Sequence, residues 1–165
     1  MPTPRDRTLT AYHEAGHVVA AYVHGHYVDT VTIRHTVDSA RTAHTEAVWG
    51  TGEPHDEHVI EMYAGHAAAR LLDPSLDPFE YGAGSDYDQA AALLPFCEYA
   101  QATLEARAAT LVASHRPMIE AVAMLLLEEE TVSADDLDVV LGAVEEGEDW
   151  RMNLTTFRTF RDADG

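Results

Sequence analysis

Lysine is absent from this 165-residue sequence, so arginine alone supplies its ten basic side chains against 29 Asp and Glu, for a formal charge of −19. Without lysine there is no P-loop, because that turn needs a Gly-Lys-Ser/Thr run to hold phosphates. A strongly acidic chain is repelled by nucleic acid phosphates and anionic membranes, so no nucleic acid partner is expected. Cysteine is almost absent too. The single Cys97 excludes an internal disulfide framework and any cysteine-based zinc finger, and its apolar neighbours mark it as a buried thiol. No run of 18 uncharged apolar residues occurs, which leaves no membrane-spanning candidate. The first ten residues lack the apolar core of a secretory signal, and a cytoplasmic location is the expectation.

What is present fits one folded domain. Apolar residues make up 46% of the chain, and a chain of this length can bury about 70% of its extended surface. Apolar residues recur at the helical period from residue 11 to about residue 27, after a cap at Thr8 or Thr10, with Gly25 as a stop. Alternating β-branched residues over 30–34 predict a strand, and residues 43–49 predict a second that pairs with it as a hairpin. Further helices are expected over 56–72, from residue 86 after a Ser85 cap to Pro95, over 96–114 and 117–130, and from a Ser133 cap to residue 144. Residues 145–165 read as an acidic, then aromatic tail, with Trp150, Phe157 and Phe160 packing against the domain. The Ala/Gly-rich run from Ala64 to Ala69 favours close approach to another helix.

The chain is rich in histidine, with ten, and the sharpest motif uses two of them. His13-Glu14-Ala15-Gly16-His17 is an H-E-x-x-H sequence inside the first helical run. Residues four apart on a helix share one face, with Cβ atoms about 5–6 Å apart. Two imidazoles so placed can hold one zinc ion, and the glutamate between them can reach a water on that ion. Glu14 would then act as general base. At this composition the motif arises by chance about 0.05 times per chain, so coincidence is a weak rival to zinc. Two histidines leave a catalytic zinc one protein ligand short. Glu57, Glu61, His66 and Asp86 are the candidates, Glu61 because a later helix often completes such a site and Asp86 because it follows a glycine-bearing loop.

The run Tyr12-His13-Glu14-Ala15-Gly16-His17-Val18-Val19 resembles the zinc helix of the FtsH-type peptidases, protease domains normally fused to a membrane-anchored AAA ATPase. In order along the chain, residues 28–34 resemble that family's Val-x-x-Val-Thr-Ile strand, and Ala64-Gly65-His66-Ala67-Ala68 resembles its Gly-Gly-Arg-Ala-Ala helix. Gly82-Ala83-Gly84-Ser85-Asp86 resembles its Gly-Ala-x-Asn-Asp loop, and residues 114–137 resemble its closing helices. The resemblance implies an α+β, mostly α-helical, zincin-like domain over 1–144, with a small β-hairpin or sheet and a C-terminal helical bundle. It implies zinc held by His13, His17 and Asp86, and hydrolysis of unfolded or flexible polypeptides. The sequence departs from the family in lacking an ATPase module and a membrane segment, in His66 and Arg70 on the second helix, in Ser85, and in a shortened stretch after Asp86. A separate ATPase or a homo-oligomer would then have to feed folded substrates.

Thr30, Val31, Thr32, Ile33 and Arg34 are expected to bind substrate by adding a peptide to a strand edge. His24, His26, His35, His44, His55 and His58 are expected to be exposed, with His55-x-x-His58 a candidate for a second metal, while His66 is placed to hydrogen-bond near the first. Two rivals stand beside the peptidase. One is a catalytically silent zinc-binding module acting in protein–protein interaction or regulation, against which the presence of Glu14 argues. The other is an acidic decoy, against which the placing of Glu128 to Glu130 and of residues 135–138 at helix ends argues.

Overall fold

The computed structural model describes residues 3–34, 44–48, 55–79 and 83–163. Helix α1 (Pro4–His24) starts earlier than the expected Thr8 or Thr10 cap. The cause is a capping box: the Thr3 hydroxyl accepts from the Asp6 amide at 3.1 Å, and the Asp6 carboxylate accepts from the Thr3 amide at 2.8 Å. Pro4, which has no amide hydrogen to satisfy, occupies the first turn. At the other end Gly25 takes left-handed backbone, φ 75°. Its amide donates to Tyr22 O at 3.0 Å and the His26 amide donates to Ala21 O at 2.9 Å, a glycine stop of Schellman type.

Strand β1 (Tyr27–Thr32) pairs antiparallel with β2 (His44–Val48), so the expected hairpin forms, although residues 35–43 that join the strands lie outside the described residues. A third strand, β3 (Thr131–Ser133), was not expected. It pairs with Thr30, Val31 and Thr32 on the other side of β1, giving the order β2-β1-β3. This corrects the substrate-strand expectation. Thr30, Val31 and Thr32 already have neighbours on both edges, the Ile33 amide donates to Glu130 O at 2.8 Å, and exposed Arg34 lies outside the strand beside Glu130. No open hydrogen-bonding edge is left there for an added peptide.

The remaining elements are helical: α2 (His55–Ala69), α3 (Gly84–Leu93), α4 (Gln101–Ser114), α5 (Arg116–Glu129), α6 (Ala134–Glu145) and α7 (Trp150–Ala163). The result is a mostly α-helical α+β fold with a small antiparallel sheet. Ser85 does not cap α3; the helix begins at Gly84, two residues earlier than expected, after buried Ala83, and no side chain caps it. Pro95 ends α3 as expected, in a short 3-10 turn. Ser133 does cap α6, accepting from the Asp136 amide at 3.4 Å. No single helix among the described residues is long and apolar enough to cross a membrane.

Helix α1 lies at the centre. Ala11, Ala15, Val18 and Val19 enter a core shared with Ala64 and Ala68 of α2 and with Ile119, Val122 and Leu126 of α5. A second apolar cluster, including Val59, Tyr63, Ala90 and Leu104, fixes α2 against α3 and α4. The α1–α2 approach depends on small residues. A Cβ on Gly16 would sit 2.4 Å from the Ala64 carbonyl oxygen and 2.7 Å from the Ala68 Cβ. Gly16→Ala gains up to about 1 kcal/mol of helix propensity, but the clash is with backbone, and overpacking of this kind costs about 1–3 kcal/mol or more. The expected net effect is destabilisation, with a thermal midpoint lowered by about 2–8 °C in chelator; an unchanged or raised midpoint would mean that the helices do not touch here.

The segment expected as a tail is largely helix. In α7, Leu154 is buried and Trp150 packs against the core. Arg158 bridges Glu129 of α5 and Asp136 of α6, both at 2.7 Å, and Arg151 meets Glu128 at 2.6 Å. Phe160, expected to pack, is exposed.

Candidate metal centre

His13 and His17 lie on the α2-facing side of α1, where Gly65 of α2 leaves room for their imidazoles. The His13 and His17 Nε2 atoms are 2.9 Å apart, and the rings meet edge to face. Asp86, in the first turn of α3, completes the group. Its Oδ2 is 2.9 Å from His13 Nε2 and 3.3 Å from His17 Nε2. Four donors at about 2.0–2.1 Å around a tetrahedral zinc stand about 3.3 Å apart. The observed spacings come within about 0.4 Å of that, so the three side chains could hold one ion with small adjustments.

Two further features fit the group to a metal. His17 Nδ1 donates to the Glu61 carbonyl at 2.8 Å, which fixes the ring and turns Nε2 toward Asp86. Gly65 of α2 faces both rings: a Cβ there would lie 2.5 Å from His17 Nε2 and 2.7 Å from His13 Cε1. Glycine therefore keeps open the space that the two rings occupy. Gly65→Ala is expected to preserve the helical circular dichroism while weakening zinc binding by about 10–100-fold, as for lost outer-shell support. Wild-type affinity in that variant would show that the rings do not need this space.

Electrostatics point the same way. Burial pulls the His17 pKa down, but the Asp86 charge and hydrogen bond, with Glu14 and the Glu61 carbonyl, outweigh it and raise it to about 9. Burial pushes Asp86 up, yet His17 and His13 hold its carboxyl far below the usual range. The pair thus keeps a proton on His17 at neutral pH, which a metal ion at this place would have to displace. His66, whose pKa burial, Arg70 and His13 push down to about 4, stays neutral and adds no positive charge beside it. Tyr87 positions the aspartate next to it in sequence: its ring packs on Tyr63, His66 and Phe79, with centroids 4.9, 5.8 and 5.8 Å away.

Of the four sequence candidates for a third ligand, the structure brings Asp86 to the two histidines. His66 is buried nearby but does not join the donor group, and Glu57 faces His26. Glu61 gives His17 its carbonyl, while its carboxylate turns to His24 and His26. Glu14 is buried, 4% exposed, on the same stretch of α1 and outside the donor group. Sequence reasoning missed Gly65 and the Glu61 carbonyl, since neither bears a reactive group. It also misplaced three histidines expected to be exposed: His24 and His26 have side chains only 14% and 5% accessible, and His58 is buried. The expected His55–His58 metal pair does not form a donor group among the described residues; His58 packs instead 5.5 Å from His26, ring to ring. His35 lies outside the described residues, as do the side-chain surroundings of His44.

No protein-family model matches this sequence, and no curated protein matches it either.

Proposed function

We propose that this chain is a zinc-dependent endopeptidase of FtsH-like, zincin-like type, acting on unfolded or flexible polypeptides. The observation that carries the reading is the convergence of His13 Nε2, His17 Nε2 and Asp86 Oδ2 beside a buried Glu14 that is not itself a ligand. His13, His17 and Asp86 would hold zinc, which would supply a water of lowered pKa and polarisation of the scissile carbonyl. Glu14 takes the proton of the attacking water and delivers it to the departing amine. Asp86, fixed by Tyr87, and His17, fixed by the Glu61 carbonyl, keep the ligand geometry from relaxing as charge develops. Since β1 is closed on both sides, the outer edge of β2, unpaired among the described residues, takes the role of pairing with an extended substrate.

The chain has no lysine with which to build a Walker motif, so unfolding of stable substrates falls to a separate ATPase or a larger assembly. A cytoplasmic setting suits this reading. The acidic-decoy rival loses support, because Glu128, Glu129 and Glu130 are occupied by Arg151, Arg158 and Arg7.

The test is cleavage of unfolded casein and of a tightly folded domain by the zinc-loaded chain, before and after phenanthroline. Casein should be cut, the folded domain spared, and chelation should abolish cleavage until zinc is restored. Zinc uptake without cleavage of any unfolded substrate would favour the silent zinc-binding module instead. ATP-stimulated degradation of the folded domain by the chain alone would contradict the proposal.

A further inference from the structure

The left-handed turn at Gly25 does more than end α1. It brings the last helical residue, His24, and the first residue beyond, His26, to the same carboxylate. His24 Nδ1 is 2.9 Å and His26 Nδ1 is 2.5 Å from the same Glu61 oxygen, Oε1. The cluster is withdrawn from water, Glu61 being 3% exposed. On the far side of the His26 ring, Nε2 faces the Glu57 carboxylate at 3.4 Å, one helical turn before Glu61 in α2. A carboxylate at the outer ring nitrogen is the usual partner of a metal-bound histidine: it takes the N–H and leaves the other nitrogen as a lone pair. With Glu57 at Nε2, His26 turns Nδ1 to the Glu61 oxygen that His24 Nδ1 also meets, so three donor atoms converge where a metal ion can take the place of a shared proton.

The geometry points to a second metal site, in which His24 Nδ1, His26 Nδ1 and a Glu61 carboxylate oxygen bind a divalent first-row transition ion such as zinc. Two imidazoles and one carboxylate suit such an ion and leave a fourth position for water. The three donor atoms lie within 4.8 Å of one another, and seating the ion requires spacings of about 3.3 Å, a side-chain adjustment. His26 also lines an open pocket of about 270 Å³ with Tyr22, Tyr27, Val28 and Asp138. The site is separate in its side chains from His13, His17 and Asp86. The two are joined through Glu61, whose carbonyl orients His17 while its carboxylate binds here. An ion at this place clips the end of α1 to α2 and steadies that carbonyl.

The experiment is a zinc count on the chelator-stripped full chain after reloading, by titration calorimetry and elemental analysis. Wild type should take two equivalents, and a His13→Ala/His17→Ala double variant should keep one. His26→Ala in the otherwise intact chain should also keep one, with its second equivalent weakened by at least about 100-fold. Glu61→Gln, which preserves the main-chain carbonyl, should behave likewise. Because the His13/His17 double variant removes the first site, this count stands or falls apart from the peptidase proposal. A folded double variant that takes up no zinc would overturn the inference. Should that variant fail to fold, anomalous diffraction at the zinc edge from wild-type crystals decides: a peak among His24, His26 and Glu61 supports the site, and none at saturating zinc overturns it.

Discussion

Glu14→Gln is expected to take up zinc as wild type does and to lose about 10²–10⁴-fold in kcat, the range for a general acid–base group. Glutamine has nearly the shape of glutamate but accepts no proton at neutral pH. Glu14 is buried against the site yet stands outside the donor group, so the substitution leaves His13, His17 and Asp86 in place. The signature is therefore a split: metal content and thermal midpoint unchanged, hydrolysis of casein nearly abolished. Rates close to wild type would remove Glu14 from the chemistry. Loss of zinc together with activity would make it a ligand, contrary to the geometry.

His17→Ala should lower the affinity of the first zinc equivalent by more than about 100-fold, exceeding the 10–100-fold typical of outer-shell losses. It deletes one of the three proposed ligands and also removes the ring that donates to the Glu61 carbonyl at 2.8 Å. In the wild-type chain the bound ion must displace the proton that Asp86 holds on His17 up to about pH 9. Zinc uptake should then release a proton below that pH, and apparent affinity should rise with pH until about 9 is reached. His17→Ala should abolish that proton release along with the binding. Calorimetry in two buffers of different ionisation enthalpy measures both effects; full affinity in the variant would remove His17 from the site.

The helix that carries H-E-x-x-H was the most legible part of the sequence. H-E-x-x-H carries its own geometry, because positions four apart on a helix meet whatever the rest of the chain does. The hairpin, the Gly25 stop and the Ser133 cap were legible for the same reason: each is decided within a few residues. Asp86 was one of four open candidates on spacing alone, and its place at the two histidines depends on how α2 and α3 pack, which no local signal carries. Strand β3 was missed because three residues give no periodicity, and its pairing with β1 is about a hundred residues away in sequence. The same long-range pairing closed the edge that Thr30, Val31 and Thr32 seemed to offer. Helix α7 was hidden because much of what fixes it is ionic, through Arg151 and Arg158 on the acids of α5 and α6. His24 and His26 looked like surface histidines until the turn at Gly25 swung both onto Glu61.

The central claim is that His13, His17 and Asp86 share one zinc ion. Crystals of the zinc-loaded chain, measured at the zinc absorption edge, test it most directly. The account predicts an anomalous peak about 2.0–2.1 Å from the Nε2 atoms of His13 and His17 and about 2.0–2.2 Å from an Asp86 oxygen. Zinc bound to the two histidines with Glu61 or His66 in the place of Asp86, or no peak between the histidines at saturating zinc, would contradict it.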